Sequence, residues 1–418
     1  MTVTLADKAA DRDAETKLVK HEGDADPFYK RVNAATIAEC LPHEDAMDIV
    51  NTYSRYCEDF NNVSLNSVVA CKKELRFNNE FWTLSPVAVG NLASFGGRAL
   101  VKKHRNCDAN PGVRALRAYH EARSDPNSEA IFEMIAADML SHMSGHSKAL
   151  IRVFMKGEVG DINWDCTRRI DALLTSKYGI IDNQWLLNTI GGLAKGSWAD
   201  FRFKGRLVSG HYHIADEARR EEAEYGATLA IRNAEDGRAS LTICPSVFDW
   251  ISGTGIIFGG MQGEVMKRVH RGTIDALQLR AAISDHINEQ MPLFDSCVQH
   301  INDLKQIALD SEELKAVLYD VGSREGMTLD ERAAWFKNVE VEMATRCEKL
   351  GLSAYALVMG LARTAGCAED DERSTALSTI AGRLATPAGG TLMAVWKRIS
   401  ARASTADADK VAAAFKGN

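Results

Sequence analysis

An α+β fold is predicted: a central antiparallel sheet with packed helices, followed by an all-helical C-terminal domain. Three observations predict it. Phe201-Arg202-Phe203-Lys204-Gly205-Arg206-Leu207-Val208 alternates apolar and basic side chains, the period of a strand with two unlike faces. Gly226 to Arg232 and Arg238 to Cys244 flank Asn233-Ala-Glu-Asp-Gly237, whose Asp-Gly supplies the left-handed residue of a hairpin turn. After about Thr273 strand signals vanish and apolar residues recur at helical spacing. The domain boundary is placed near Met291-Pro292, giving a loosely ordered arm at 1–30, an α+β core at 31–291 and a helical unit at 292–418.

The elements follow in order. Ala46, Ile49, Val50 and Tyr53 predict a helix over Glu44 to Cys57. Ser67 to Cys71 and Glu74 to Trp82 read as strands, with Asn78-Asn79 suited to a turn, and Ser85-Pro86 opens a short helix. Residues 98–123 hold seven Arg or Lys against two acids, including Lys102, Lys103 and Arg105. Phe132, Ala136, Met139 and Met143 mark a helix over 128–143, and Ala149 to Met155 reads as a buried strand. Arg168 to Ile190 reads as helix, turn, helix. Near the end, Thr328-Leu-Asp-Glu331 has the form of a capping box. It starts a helix with the buried stripe Phe336, Val339, Met343, Cys347 and Leu350, which Gly351 ends.

Composition sets outer limits on function. The chain has 418 residues, 26% charged and 45% hydrophobic, as in an ordinary globular protein. A formal net charge of −7 argues against coating nucleic acid through bulk positive charge, while a local basic face stays open. Nine cysteines without a CxxC pair read as reduced thiols of a cytoplasmic compartment. No apolar run is long enough to span a bilayer, so no membrane partner is expected.

Few motifs carry chemistry. His211-Tyr-His213, with Asp216 and Glu217 beyond, and the pair His142 and His146 each lack a full ligand set, so no metal or other cofactor is expected. Gly253-Thr-Gly255-Ile-Ile-Phe-Gly-Gly260 has neither the ending of a P-loop nor the spacing of a dinucleotide loop. No local nucleophile motif points to a catalytic residue. The basic residues carry the remaining signal. Arg202, Lys204 and Arg206 would form a cationic ladder that Tyr212 and His213 extend with rings. Lys267, Arg268 and Arg271 add a second cluster. Cations beside stackable rings suit single-stranded nucleic acid.

Three segments resemble a family found on phages, plasmids and prophages, described only as phage/plasmid-like proteins with a domain of unknown function. They are Leu75 to Ala93, Arg169 to Leu187, and Ala230 to Leu241 continuing through Arg268-Val-His-Arg-Gly272. The similarity spans about residues 65–290. It departs at Ser252-Gly-Thr-Gly255, where the family carries a Cys-x-Asn-Gly turn, and it lacks most of the family's Arg-Ala-Phe-Leu, as in a distant member. The resemblance implies a mobile-element context in a bacterial host and no particular chemistry. The expected function is therefore non-enzymatic binding, extending to annealing, of single-stranded nucleic acid by a homo-oligomer in DNA replication or recombination. Its alternatives are a phage structural or assembly protein and, third, a metal-dependent nuclease.

Overall fold

The strands predicted around residue 201 become the middle of an eight-stranded antiparallel sheet, and a second, six-stranded sheet is inserted in the chain between its first two strands and the rest. The computed structural model describes residues 30–34, 37–92, 115–116, 118, 126–143, 148–155, 168–214, 224–258, 265–290, 292–346, 351–368, 370–386, 391–405 and 411. Lys102, Lys103, Arg105, Asp216, Glu217, His146 and nearly all of the N-terminal arm lie outside them, as does the side chain of His142.

The larger sheet contains β1 (Lys30–Asn33), β2 (Leu41–Pro42), β9 (Gly196–Lys204), β10 (Leu207–Ile214), β11 (Tyr225–Ala234), β12 (Leu241–Asp249), β13 (Thr254–Ile257) and β14 (Met266–Arg268). Its order is β1-β9-β10-β11-β12-β13, with β2 beside β9 and β14 beside β12. Gly205, at φ +60°, and Arg206 make the tight turn from β9 to β10. The predicted hairpin forms as β11 and β12, which pair Tyr225 with Asp249 and Arg232 with Thr242. Its second strand starts at Leu241 and not at Arg238. The Arg238 amide bonds the Asp236 carboxylate at 3.2 Å and its guanidinium reaches the Lys204 carbonyl at 3.1 Å, so local side-chain bonds hold this stretch out of the ladder.

The smaller sheet contains β3 (Cys57–Ser64), β4 (Val69–Cys71), β5 (Glu74–Phe77), β6 (Glu80–Leu84), β7 (Lys148–Met155) and β8 (Arg168–Thr175), in the order β3-β7-β8-β6-β5-β4. Asn78 and Asn79, at φ +53° and +63°, form the β5–β6 turn, a geometry asparagine tolerates better than bulkier residues. Here one expectation is corrected. Residues 168–175 are the strand β8, not a helix. An apolar run such as Ile170-Asp-Ala-Leu-Leu174 suits either period. The strand wins because Ile170 and Leu173 enter one core while Ala172 and Leu174 enter another on the opposite face.

Helices cover both sheets. They are α1 (His43–Ser54), α2 (Pro126–Met143), α3 (Asn183–Leu193), α4 (Ala276–Gln290), α5 (Leu293–Asp303), α6 (Ser311–Arg324), α7 (Leu329–Thr345), α8 (Ala354–Cys367), α9 (Asp371–Leu384) and α10 (Leu392–Ala403). Phe132, Ala136 and Met139 of α2 pack on Leu75, Trp82 and Ile151 of the smaller sheet. Val50 and Tyr53 of α1, Leu186 and Ile190 of α3 and Ile283 of α4 pack on Trp198, Phe201, Phe203 and Ile231 of the larger one. Burial of each such side chain contributes about 1.5–3 kcal/mol. The helices from α5 onward gather around the almost wholly buried α8, and Tyr225, Val247, Ile256 and Phe258 of the sheet join the same core. The capping box at Thr328 and Glu331 forms as predicted. Val339 is buried, Phe336 and Met343 pack at the edge of this core, and Cys347 and Leu350 lie outside the described residues. No helix among the described residues is long and apolar enough to cross a membrane.

Candidate functional site

The structure disperses the predicted ladder. Arg202 sits on β9 with 4% exposure, Arg206 lies past the end of that strand with 3%, and Tyr212 is fully buried. Strand alternation stops at Lys204, so the turn carries Arg206 toward the smaller sheet and away from the face of Arg202. There its Nε donates to Asp171 at 3.2 Å, Nη1 to Glu235 at 3.3 Å and Nη2 to the Val153 carbonyl at 2.9 Å. Arg152 bridges Asp59 and Glu235 in the same cluster, and Tyr53 donates to Asp171 at 2.6 Å. Burial pushes the Glu235 carboxyl upward against the pull of Arg152 and Arg206. This network joins the two sheets. It offers nothing to a phosphate.

Tyr212 is likewise structural. Its hydroxyl donates to the Ala194 carbonyl at 2.9 Å and its ring meets Trp198 edge-on, so it presents no face to a base. His213 is half-buried, its ring 5.5 Å from that of Trp250. Lys204, also half-buried, ends β9. Of the predicted contacts within the described residues, Lys267, Arg268 and Arg271 are exposed, the first two on β14. No group of three His, Cys, Asp or Glu able to hold a metal gathers among the described residues. His211 and His213 have different neighbours, since His211 is held by Ser246, with Nδ1 and Oγ 3.1 Å apart.

A cavity of about 220 Å³ lies between the larger sheet and α9. Its floor is set by strand register. Arg202 pairs with Ser209, Ser209 with Arg232, Arg232 with Thr242 and Thr242 with Lys267. One row across five strands therefore reads Arg, Ser, Arg, Thr, Lys, on the face opposite Phe201 and Phe203. The next row sets Asp200 beside His211 and Ala230. The roof is the face of α9 bearing Asp371, Ser374, Thr375, Ser378 and Thr379. Arg202 fastens floor to roof, reaching Asp200 at 3.2 Å and Asp371 at 3.4 Å.

Two polar atoms in this cavity stand out. The Ser209 hydroxyl, on a side chain 4% exposed, and Arg232 Nε are both buried and have no hydrogen-bond partner among the described residues. A buried donor left unmade costs about 1–3 kcal/mol, more when charged. Facing each other across a strand pair, they offer two unused donors on one side of the cavity. The charges agree: Arg202, Arg232 and Lys267 face Asp200 and Asp371. His211 adds none, because burial pushes its pKa down to about 4. The His211–Ser246 pair has the outline of a base and nucleophile, yet Ser246 is 3% exposed, touches Thr228 at 2.7 Å and does not line the cavity.

Sequence reasoning missed Ser209, Arg232 and all of α9. A signal was present, for Asp371, Ser374, Thr375, Ser378 and Thr379 recur at the helical period and stripe one helix face with small polar groups. No family model, curated protein or solved structure matches this chain.

Proposed function

We propose that the chain binds single-stranded nucleic acid without turnover, along a track from exposed Lys267 inward to Arg232 and Ser209, with the exposed Arg268 and Arg271 at the same sheet edge. The observation that supports this reading is the cross-strand row of cations and hydroxyls, which includes two buried polar atoms without a hydrogen-bond partner among the described residues. A phosphodiester carries one negative charge and two unesterified oxygens, the complement of an arginine Nε–H beside a serine hydroxyl. The exposed cations on and after β14 make no ion pair among the described residues, which leaves them for further phosphates. The contact set thus moves from the β9–β10 turn to the β14 edge. Binding is favoured over hydrolysis because His211 and His213 do not converge on one centre. The mobile-element setting rests on the resemblance described above and the cytoplasmic placement on the cysteine pattern, and both belong with self-association to the same proposal.

Filter binding of a linear single strand across a salt series tests this. Each phosphate contact adds about −0.7 to the slope of log K against log salt, so Lys267→Gln, Arg268→Gln and Arg271→Gln together flatten it by about two. A parent protein without affinity for single strands at low salt refutes the proposal.

A further inference from the structure

We infer that the cavity beneath α9 receives the end of a strand, a terminal sugar with a free hydroxyl whose phosphodiester lies at Ser209 and Arg232. This rests on the nucleic-acid reading above and names the part of the substrate that the buried site recognises.

Access decides between an end and the middle of a chain. Roof and floor are joined at both ends of α9. Asp371 in the first turn bonds Arg202 of β9. In the last turn Gly382 lies so close to β13 that a Cβ there would strike the Ile257 carbonyl. α8 packs against β13 next to α9, where a Cβ at Gly366 would meet the Thr254 side chain. Among the described residues lining the cavity, Val265 and Lys267 are exposed and all others are buried or half-buried. The mouth therefore opens beside β14. A continuous strand needs a way in and a way out, whereas the one mouth among the described residues admits an end.

Size and charge narrow the end to a hydroxyl terminus. At about 220 Å³ the space is smaller than the roughly 300–1,000 Å³ of sites for drug-sized ligands, which matches a sugar and one phosphate with the base outside. Three cations against two carboxylates leave a single positive charge, which one phosphodiester neutralises. A terminal phosphate monoester carries about −1.5 to −2 at neutral pH and would bring excess negative charge against Asp200 and Asp371. The wall facing the anion subsite also suits a hydroxyl. Thr375 and Thr379 donate to the carbonyls four residues back, each at 2.8 Å, so their oxygens are left to accept a bond from a sugar hydroxyl.

The test compares binding of one labelled oligonucleotide sequence in five forms: linear with hydroxyl ends, phosphorylated at the 5′ end, at the 3′ end, at both, and ligated into a circle. The hydroxyl-ended strand is expected to bind about a hundredfold tighter than the circle, the discrimination available from two buried hydrogen bonds to a charged group. Phosphorylation at one particular end is expected to abolish that advantage, and at the other to leave it. The double variant Ser209→Ala, Arg232→Gln is expected to bind linear and circular strands alike, at the parent's affinity for the circle. Equal parent affinity for circle and hydroxyl-ended strand overturns the inference while the nucleic-acid reading survives. Tighter binding of a phosphorylated end also overturns it. Failure of every form to bind removes both.

Discussion

Replacing Arg206 with methionine separates a structural arginine from a phosphate-binding one. The side chain is 3% exposed and bonded to two carboxylates that are themselves 5% and 7% exposed. Removing one member of such a buried cluster strands charge in a low-dielectric interior, a loss of about 3–5 kcal/mol. Arg169 still reaches Asp171 at 2.9 Å and Arg152 still reaches Glu235 at 3.4 Å, which places the loss near the lower figure, about 3 kcal/mol. Urea unfolding followed by tryptophan fluorescence reads this as a midpoint lowered by roughly 1 M or more, for slopes near 3 kcal/mol/M. The deficit depends on pH in a defined direction. The folded pKa of Glu235 is already raised by burial, against the opposing pull of Arg152 and Arg206. Without Arg206 that pKa rises further. Stability is then retained below the unfolded value and lost as pH climbs through the folded one, and the gap between variant and parent widens from pH 5 to pH 8. A midpoint shift below about 0.3 M, or the same shift at both pH values, would refute the structural assignment. So would an unchanged midpoint accompanied by a flatter salt slope for single strands.

Two further outcomes follow from the buried rings. Tyr212→Ala is expected to destabilise by about 3–5 kcal/mol, as for other buried aromatics, and Tyr212→Phe by about 1 kcal/mol for the bond to Ala194. Thermal or urea unfolding checks both, and a Tyr212→Ala protein of parental stability with weakened strand binding would restore the stacking role. His211, with its folded pKa pushed down to about 4, is protonated first in the unfolded chain, so its contribution is present above about pH 6.5 and lost as pH falls toward 4. His211→Asn is expected to flatten the acid limb of the stability profile between those values, measured as urea midpoints. An acid limb of unchanged steepness counts against this account.

What the sequence disclosed was local. The 225–249 hairpin, the Asn78-Asn79 turn and the Thr328–Glu331 capping box were readable because each is specified by residues within a few positions of one another. Residues 168–175 were misread because an apolar run buried on both faces has no distinguishing period. The basic ladder was misjudged for another reason. Whether an arginine on a strand meets water or a carboxylate depends on partners far along the chain. Asp371 lies 169 residues from Arg202, and Asp171 and Glu235 lie 35 and 29 residues from Arg206. The cavity was illegible in the same way, since its floor comes from six strands and its roof from a helix beyond residue 370.

The distance from Arg202 to Asp371 also orders events during synthesis. The ribosome delivers every strand of the floor more than a hundred residues before the helix that covers it. Until then the nascent chain holds Asp200, Arg202, Ser209 and Arg232 against solvent, and the apolar side chains of β11, β12 and β13 that meet the C-terminal core lie bare. Such long-range closure is slow, because the loop must be ordered before its contacts form. The uncovered sheet is thus the species most open to misassociation and to chaperones. Docking of α9 roofs the cavity and ends that exposure.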